Sequence, residues 1–243
     1  MSVSAIRIGQ WFQGPTGRGQ GGWTAQRLAQ VASQPTTVRL QAPIPLETDL
    51  SVAREGESWQ LLDTSQGTPE VIMQAERWQP DYVRTEPVEI DEAARARARF
   101  PVADAEHPAP FCFSCGLQHD SMCIHAGPLA DGRFATDWTV PGWTRLADGS
   151  ADEAAVWAAL DCTASWYVYG HGGRERPGPM LTVQFAAEVL VPLMPGERYA
   201  LVGWHGDWSE GWEGRKRGAA SAAFDARGRL VAQSRSFWLR ASI

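Results

Sequence analysis

Apolar and polar residues alternate from Ile6 to Gln13 (IRIGQWFQ), a pattern that predicts a strand, and the glycine-rich GPTGRGQGG after it breaks the chain. With WTAQRLAQVAS the period lengthens, and Trp23, Leu28 and Val31 fall toward one side of a helix. Beyond Pro35, TTVRLQAPIPLETDLSV puts Val38, Leu40, Ala42 and Ile44 on every second position, which predicts one half-buried strand. Two further strands, SWQLLDT and EVIMQAERWQ, flank the turn-rich SQGTP. The order over this first part of the chain is therefore strand, helix, several antiparallel strands.

The same order returns later. RFATDWTV alternates as a strand, a Gly/Asp-rich break follows, and DEAAVWAALDCTASW (152–166) carries apolar and small residues at helical spacing on most sides. LTVQFAAEVLVPL, YALVGW, RGAASAAFD and RLVAQSRSFWLR then predict strands. Local matches support a duplication: Thr37-Val38-Arg39-Leu40 with Thr182-Val183-Gln184-Phe185, Pro45-Leu46 with Pro192-Leu193, and Val71-Ile72-Met73-Gln74 with Leu230-Val231-Ala232-Gln233. Between the copies, DEAARARARF favours a short charged helix and PVADAEHPAP a proline-rich linker. The chain divides on this basis into an N-terminal half (1–95), a linker with a cysteine-rich segment (96–130) and a C-terminal half (131–243). The class is α+β, with each half wrapping an antiparallel sheet around one long helix.

Composition narrows the partners. At 243 residues the chain can bury a substantial core, and its 44% hydrophobic and 21% charged residues are ordinary for a soluble protein. A net charge of −6 with no long basic run argues against nucleic acid. No apolar run reaches the roughly 18 residues of a membrane span, and MSVSAIRIGQWF lacks a basic-then-apolar leader pattern, so no membrane contact and a cytoplasmic location are expected. A homo-oligomer is compatible with all of this. The twelve Trp residues are expected mostly in the core and between strands, with a few left to line a ligand pocket.

Candidate chemistry starts from Asp161, the carboxylate in the second half of the apolar helix. An ionised Asp there must be paired, hydrated through a pocket or raised in pKa, and the last two conditions suit a general base or a carboxylate nucleophile. The structural alternative is a helix Asp at the solvent edge, bonded to a hydroxyl such as Thr163. On the other helix, Gly21-Gly22 open an N-terminus whose free N–H groups, together with that of Trp23, suit a carbonyl oxygen gaining negative charge under attack; a plain turn is the alternative. Superposed, the second helix has Glu153-Ala154 where the first has Gly21-Gly22, and the first has Ala29 near the place of Asp161. Each copy keeps one half of a site.

One long helix in an antiparallel sheet, twice over, resembles the double-hotdog architecture. GRKRGAASAAFDARGRLVAQSRSFWLR is similar to the last two strands of the double-hotdog acyl-CoA thioesterases, and GRGQGGWTAQRLAQ to the Gly-Gly helix start of those enzymes and of the phenylacetate-type hotdog thioesterases. The resemblance implies a thioester hydrolase acting on acyl-CoA or an acyl-carrier thioester, without a cofactor. It matches Asp161 to the family acid and Thr182 to a family Thr, and it puts Ser236 where the family has a water-holding Gln, with Gln184 as another stand-in. Alternation disagrees at one point, because Val183 and Phe185 on the buried face turn Thr182 the other way.

Other residues keep rival functions open. His171, ten positions after Asp161, would pair with it in a hydratase or lyase acting on a thioester-bound acyl chain, or would simply cap the helix. A third reading is a non-catalytic protein that binds acyl thioesters. Arg174, Arg176, Arg215, Lys216 and Arg217 form the dense cationic spots, either for coenzyme A phosphates or as solvated loop charge. Cys112-Phe-Ser-Cys115-Gly followed by Cys123-Ile-His125 has zinc-like spacing, but buried thiols packing the linker are the commoner outcome and no metal is expected.

Overall fold

The two alternating blocks join edge to edge. In the computed structural model, which describes residues 5–103, 106–118, 120–170, 180–206 and 216–240, the first block supplies β1 (Ile6–Arg7), α1 (Gly21–Ala32), β2 (Thr36–Leu40), β3 (Asp49–Glu55), β4 (Ser58–Asp63) and β5 (Glu70–Arg77). Helix α2 (Ile90–Arg97) and β6 (Gly127–Pro128) bridge to β7 (Phe134–Thr139), α3 (Glu153–Gly170), β8 (Met180–Val189), β9 (Arg198–His205), β10 (Lys216–Phe224) and β11 (Leu230–Arg240). Among the described residues these strands form one eleven-stranded antiparallel sheet, ordered β1-β3-β4-β5-β2-β8-β11-β10-β9-β7-β6. Outward from the β2–β8 seam, one side reads β2, β5, β4, β3, β1 and the other β8, β11, β10, β9, β7, β6. Each block therefore places its strands in the same spatial sequence around its helix.

Both long helices lie on the same inner face and run antiparallel, since Gly22 meets α3 at Trp157 and Asp161 while Arg27 reaches back to Asp152. Helix α1 begins at Gln20 and ends at Ser33, which takes a left-handed φ of 56° and returns its N–H to Ala29 O. Helix α3 is started by Asp152, whose Oδ1 accepts the Ala154 N–H at 3.0 Å, and whose carboxylate also holds both Arg27 nitrogens. Strands β8 to β11 enclose α3 so closely that a Cβ on Gly203 would fall 2.7 Å from Thr163 O. This explains a helix apolar all round: 14 of its 18 residues are buried. No described helix is long and apolar enough to cross a membrane.

Two predicted strands change. IRIGQWFQ is a strand only at Ile6–Arg7, then a single 3-10 turn at Gln10–Phe12 that brings Trp11 and Phe12 under an aromatic cluster with Trp23, Phe113 and Trp143. TTVRLQAPIPLETDLSV is two strands, β2 and β3, because Pro43 and Pro45 cannot donate to a ladder. The charged segment after residue 89 does form α2. Its Ala93 and Ala96 pack on the outer sheet face against Ala200, Val202, Ala220 and Phe224.

Candidate functional site

Asp161 sits midway along α3, 4% exposed, where α1 begins. The helices touch there because Gly22 has no side chain: a Cβ would fall 2.7 Å from Trp157 O and 2.8 Å from Asp161 Cβ. That approach lets the Gly22 N–H donate to Asp161 Oδ2 at 3.2 Å. Gln20 Nε2 donates to the same oxygen at 2.7 Å, and Thr182 Oγ1 donates to Oδ1 at 2.9 Å. Burial pushes the Asp161 carboxyl up to about 7, against the opposing pull of the Thr182, Gly22 and Gln20 hydrogen bonds. The solvent-edge alternative therefore does not describe this residue, and Thr163 bonds Ala159 O instead.

Thr182 reaches the site through a bulge. In the β8–β11 ladder Gln184 pairs with Phe237 and Thr182 with Trp238, so Val183 is an extra residue. Without it, alternation from the buried Phe185 turns Thr182 outward; with it, Thr182 shares the inner face with Trp238 and Phe185.

The α1 start departs from expectation at Trp23. Its N–H is taken by Gln20 Oε1 at 2.6 Å, and the Thr24 N–H by Gln20 O. A glutamine is long enough to cap the helix with one amide atom and brace Asp161 with the other. The Gly21 N–H is left without a protein partner among the described residues. Gly21 borders the carboxylate, since a Cβ there would lie 3.5 Å from Asp161 Oδ2. The Trp23 ring instead stacks on Phe12 at 4.0 Å with the Arg27 guanidinium on it at 4.4 Å.

Neither stand-in for the family Gln meets Asp161. Ser236 Oγ donates to Ala219 O at 3.0 Å and accepts Trp238 Nε1 at 2.8 Å, buried in the sheet. Gln184 faces the other side and bonds Thr37 Oγ1 at 2.9 Å. His171, Arg174, Arg176 and Arg215 lie outside the described residues. Lys216 is exposed, while Arg217 donates to Val168 O at 3.1 Å near the end of α3. Gln20 is the residue that the sequence reading missed. Its only signal was its place directly ahead of Gly-Gly, because Gln is not among the favoured capping residues.

A cavity of about 540 Å³ opens at the other end of the helix pair, lined among others by Gln26, Ala29, Thr36, Glu153, Trp157 and Glu188. It adjoins the start of α3, the counterpart of the α1 start, and Asp161 does not line it.

No family model matches the chain, and no curated protein matches its sequence. Solved structures similar to it include the E. coli PaaI protein from the phenylacetic acid degradation operon, at 12% identity over 46% of this chain and 74% of that one, with a TM-score of 0.39. A hypothetical thioesterase from Streptococcus pneumoniae, solved with coenzyme A, is 13% identical over 48% of this chain and 84% of that one, at 0.41. A thioesterase superfamily protein is 15% identical over 66% of this chain and 72% of its own, at 0.47. With TM-scores below 0.5, these likenesses carry no weight for the chemistry of the site.

Proposed function

We propose that the chain is a double-hotdog thioester hydrolase, with halves 1–95 and 131–243 joined through 96–130, acting on acyl-CoA or acyl-carrier thioesters. The repeated strand order around two antiparallel helices supports the tandem arrangement. The observation that carries the function is the Asp161 carboxylate, buried, raised to about 7, and held between a helix N-terminus and Thr182.

In this reading Oδ2 is committed to Gln20 and Gly22, which fix the carboxylate plane, so Oδ1 does the chemistry. Oδ1 accepts one hydrogen bond, from Thr182, and keeps lone-pair capacity for a water that the Thr182 oxygen also orients. Asp161 removes a proton from that water as its oxygen bonds to the thioester carbon, or attacks that carbon itself. The carbonyl oxygen takes up negative charge and meets the Gly21 N–H at the positive end of α1. Collapse expels the thiolate; after water attack this leaves the acid, whereas after direct attack it leaves an Asp161–acyl anhydride that a water then hydrolyses to the acid, restoring the carboxylate. Gln20 is a positioning residue, and Ser236 belongs to the sheet rather than to the reaction.

Free-thiol release from a panel of acyl-CoA thioesters tests the proposal. Asp161→Asn should lower turnover by about 10²–10⁴-fold with an unchanged circular dichroism spectrum. Undiminished turnover in that variant would sink the reading.

A further inference from the structure

Three of the four cysteines converge beside Asp161, and they are not the three that the sequence spacing groups together. The Sγ atoms of Cys112, Cys115 and Cys162 all lie within 4.8 Å of one another, with Cys112 and Cys162 at 3.9 Å, and all three residues are buried. Cys123 stands apart, half-buried, its thiol directed to Ser121 O at 3.5 Å.

The loop that presents Cys112 and Cys115 is tightly built. Gly116 N–H closes it on Cys112 O at 2.7 Å, and a Cβ on Gly116 would fall 2.5 to 2.8 Å from Pro110 O, Cys112 O and Cys112 N. His107 and His125 each set a ring nitrogen on Cys115 O, at 2.8 and 3.1 Å. Cys162 arrives from α3, and Gln20 Nε2 lies 3.8 Å from its sulfur. A glycine-closed CxxC loop fixes two sulfurs before a ligand arrives.

We propose that Cys112, Cys115 and Cys162 form a site for one thiophilic divalent ion of the zinc class. Metal–sulfur bonds of about 2.3 Å put neighbouring sulfurs about 3.8–4.0 Å apart around one centre, which matches the Cys112–Cys162 spacing. Sulfur-only ligation selects soft ions over calcium and magnesium. Three thiolates would bring three negative charges into a buried region next to Asp161, and a divalent ion cancels more of that charge than a monovalent one. Binding releases the three thiol protons as three metal–sulfur bonds form. Among the described residues no further His, Cys, Asp or Glu joins the trio, so the fourth position takes a small exogenous ligand such as water. Nothing here depends on thioester hydrolysis.

The test uses the full chain, reduced, stripped with a chelator and titrated with Cd²⁺. The expected result is a thiolate-to-metal charge-transfer band that saturates at a single equivalent and is competed by Zn²⁺. Cys112→Ser, Cys115→Ser and Cys162→Ser should each weaken binding by more than about 100-fold, beyond what even outer ligand-supporting changes cost, and Cys123→Ser should leave it intact. Because a serine at a buried position can disturb folding, the wild type is also alkylated with and without Zn²⁺ and mapped by mass spectrometry. Protection of Cys112, Cys115 and Cys162 but not Cys123 supports the site. Absence of a charge-transfer band, equal alkylation of all four cysteines, or binding that needs Cys123 in place of Cys162 overturns it.

Discussion

At the start of α1, Gly22 lies against α3 and gives its N–H to Asp161; at the start of α3, Glu153 lines a cavity of about 540 Å³ together with Ala29, which stands where Asp161 has its counterpart. The threonines follow suit. Thr182 precedes the inward Phe185 on β8 and bonds Asp161, whereas Thr36 precedes the inward Val38 on β2 and its buried Oγ1 has no partner among the described residues. Gln26 Oε1 and Trp157 Nε1, near the same cavity, are also without partners there. An unsatisfied buried hydroxyl costs about 1–3 kcal/mol. With Val38 paired to Phe185 at the seam and Val183 an extra residue, Thr36 rather than the sequence-matched Thr37 stands in the place of Thr182, so the same scaffold position is an asset opposite a carboxylate and a burden opposite Ala29.

The strongest way to break this asymmetry is at the acids. Asp161→Asn should lose turnover by about 10²–10⁴-fold, and Glu153→Gln, at the opposite helix start, should lose almost none. Equal losses in a free-thiol assay would mean that both starts are active.

The second prediction concerns pH. A base must be deprotonated, and the Asp161 carboxyl is raised to about 7, so on metal-free protein kcat/KM should rise with pH and level off above about 7, falling about tenfold per unit below it. Stability should run the other way. The folded-state value lies above the ordinary aspartate value of 3.8, so this group's contribution is fully present below 3.8 and is lost as pH rises through about 7. Urea midpoints of the wild type and Asp161→Asn should therefore diverge as pH increases, with the variant holding up better.

Smaller effects sharpen the contrast. Gly22→Ala drives a methyl into the Trp157 carbonyl and should destabilise by about 1–3 kcal/mol by urea denaturation, while Ala154→Gly at the other start should cost about 0.5–1 kcal/mol of helix propensity. The threonine pair gives a contrast of similar size. Thr182→Val should cost about 1–2 kcal/mol along with activity, and Thr36→Val should be neutral or stabilising by up to about 1 kcal/mol, because its hydroxyl satisfies nothing. A loss at Thr36 equal to that at Thr182 would remove the argument.

Much of this was legible in the chain. A carboxylate on a helix apolar all round and a Gly-Gly helix start are signals with direct physical meaning, and Asp161 and Gly22 do meet. Other parts escaped because their cause is tertiary or locally ambiguous. Alternation through Val183 pointed Thr182 outward, since a bulge depends on the partner strand rather than on β8 itself. Gln20 carries no capping signal, yet it both caps α1 and braces Asp161. CxxC followed by CxH drew Cys123 and His125 into one group by spacing, while the packing of α3 puts Cys162 there instead.

The Val183 bulge also makes chain length a control on the site. Because successive side chains point to opposite faces, removing one residue between Phe185 and Thr182 exchanges the two faces of the strand end without altering any residue that touches Asp161. An insertion or deletion at this spot would thus turn the threonine into or out of the site as a whole, while the seam at Val38 and Phe185 kept its pairing. A one-codon change of length is enough to present Thr182 to Asp161 or to withdraw it, with every other neighbour of the carboxylate kept.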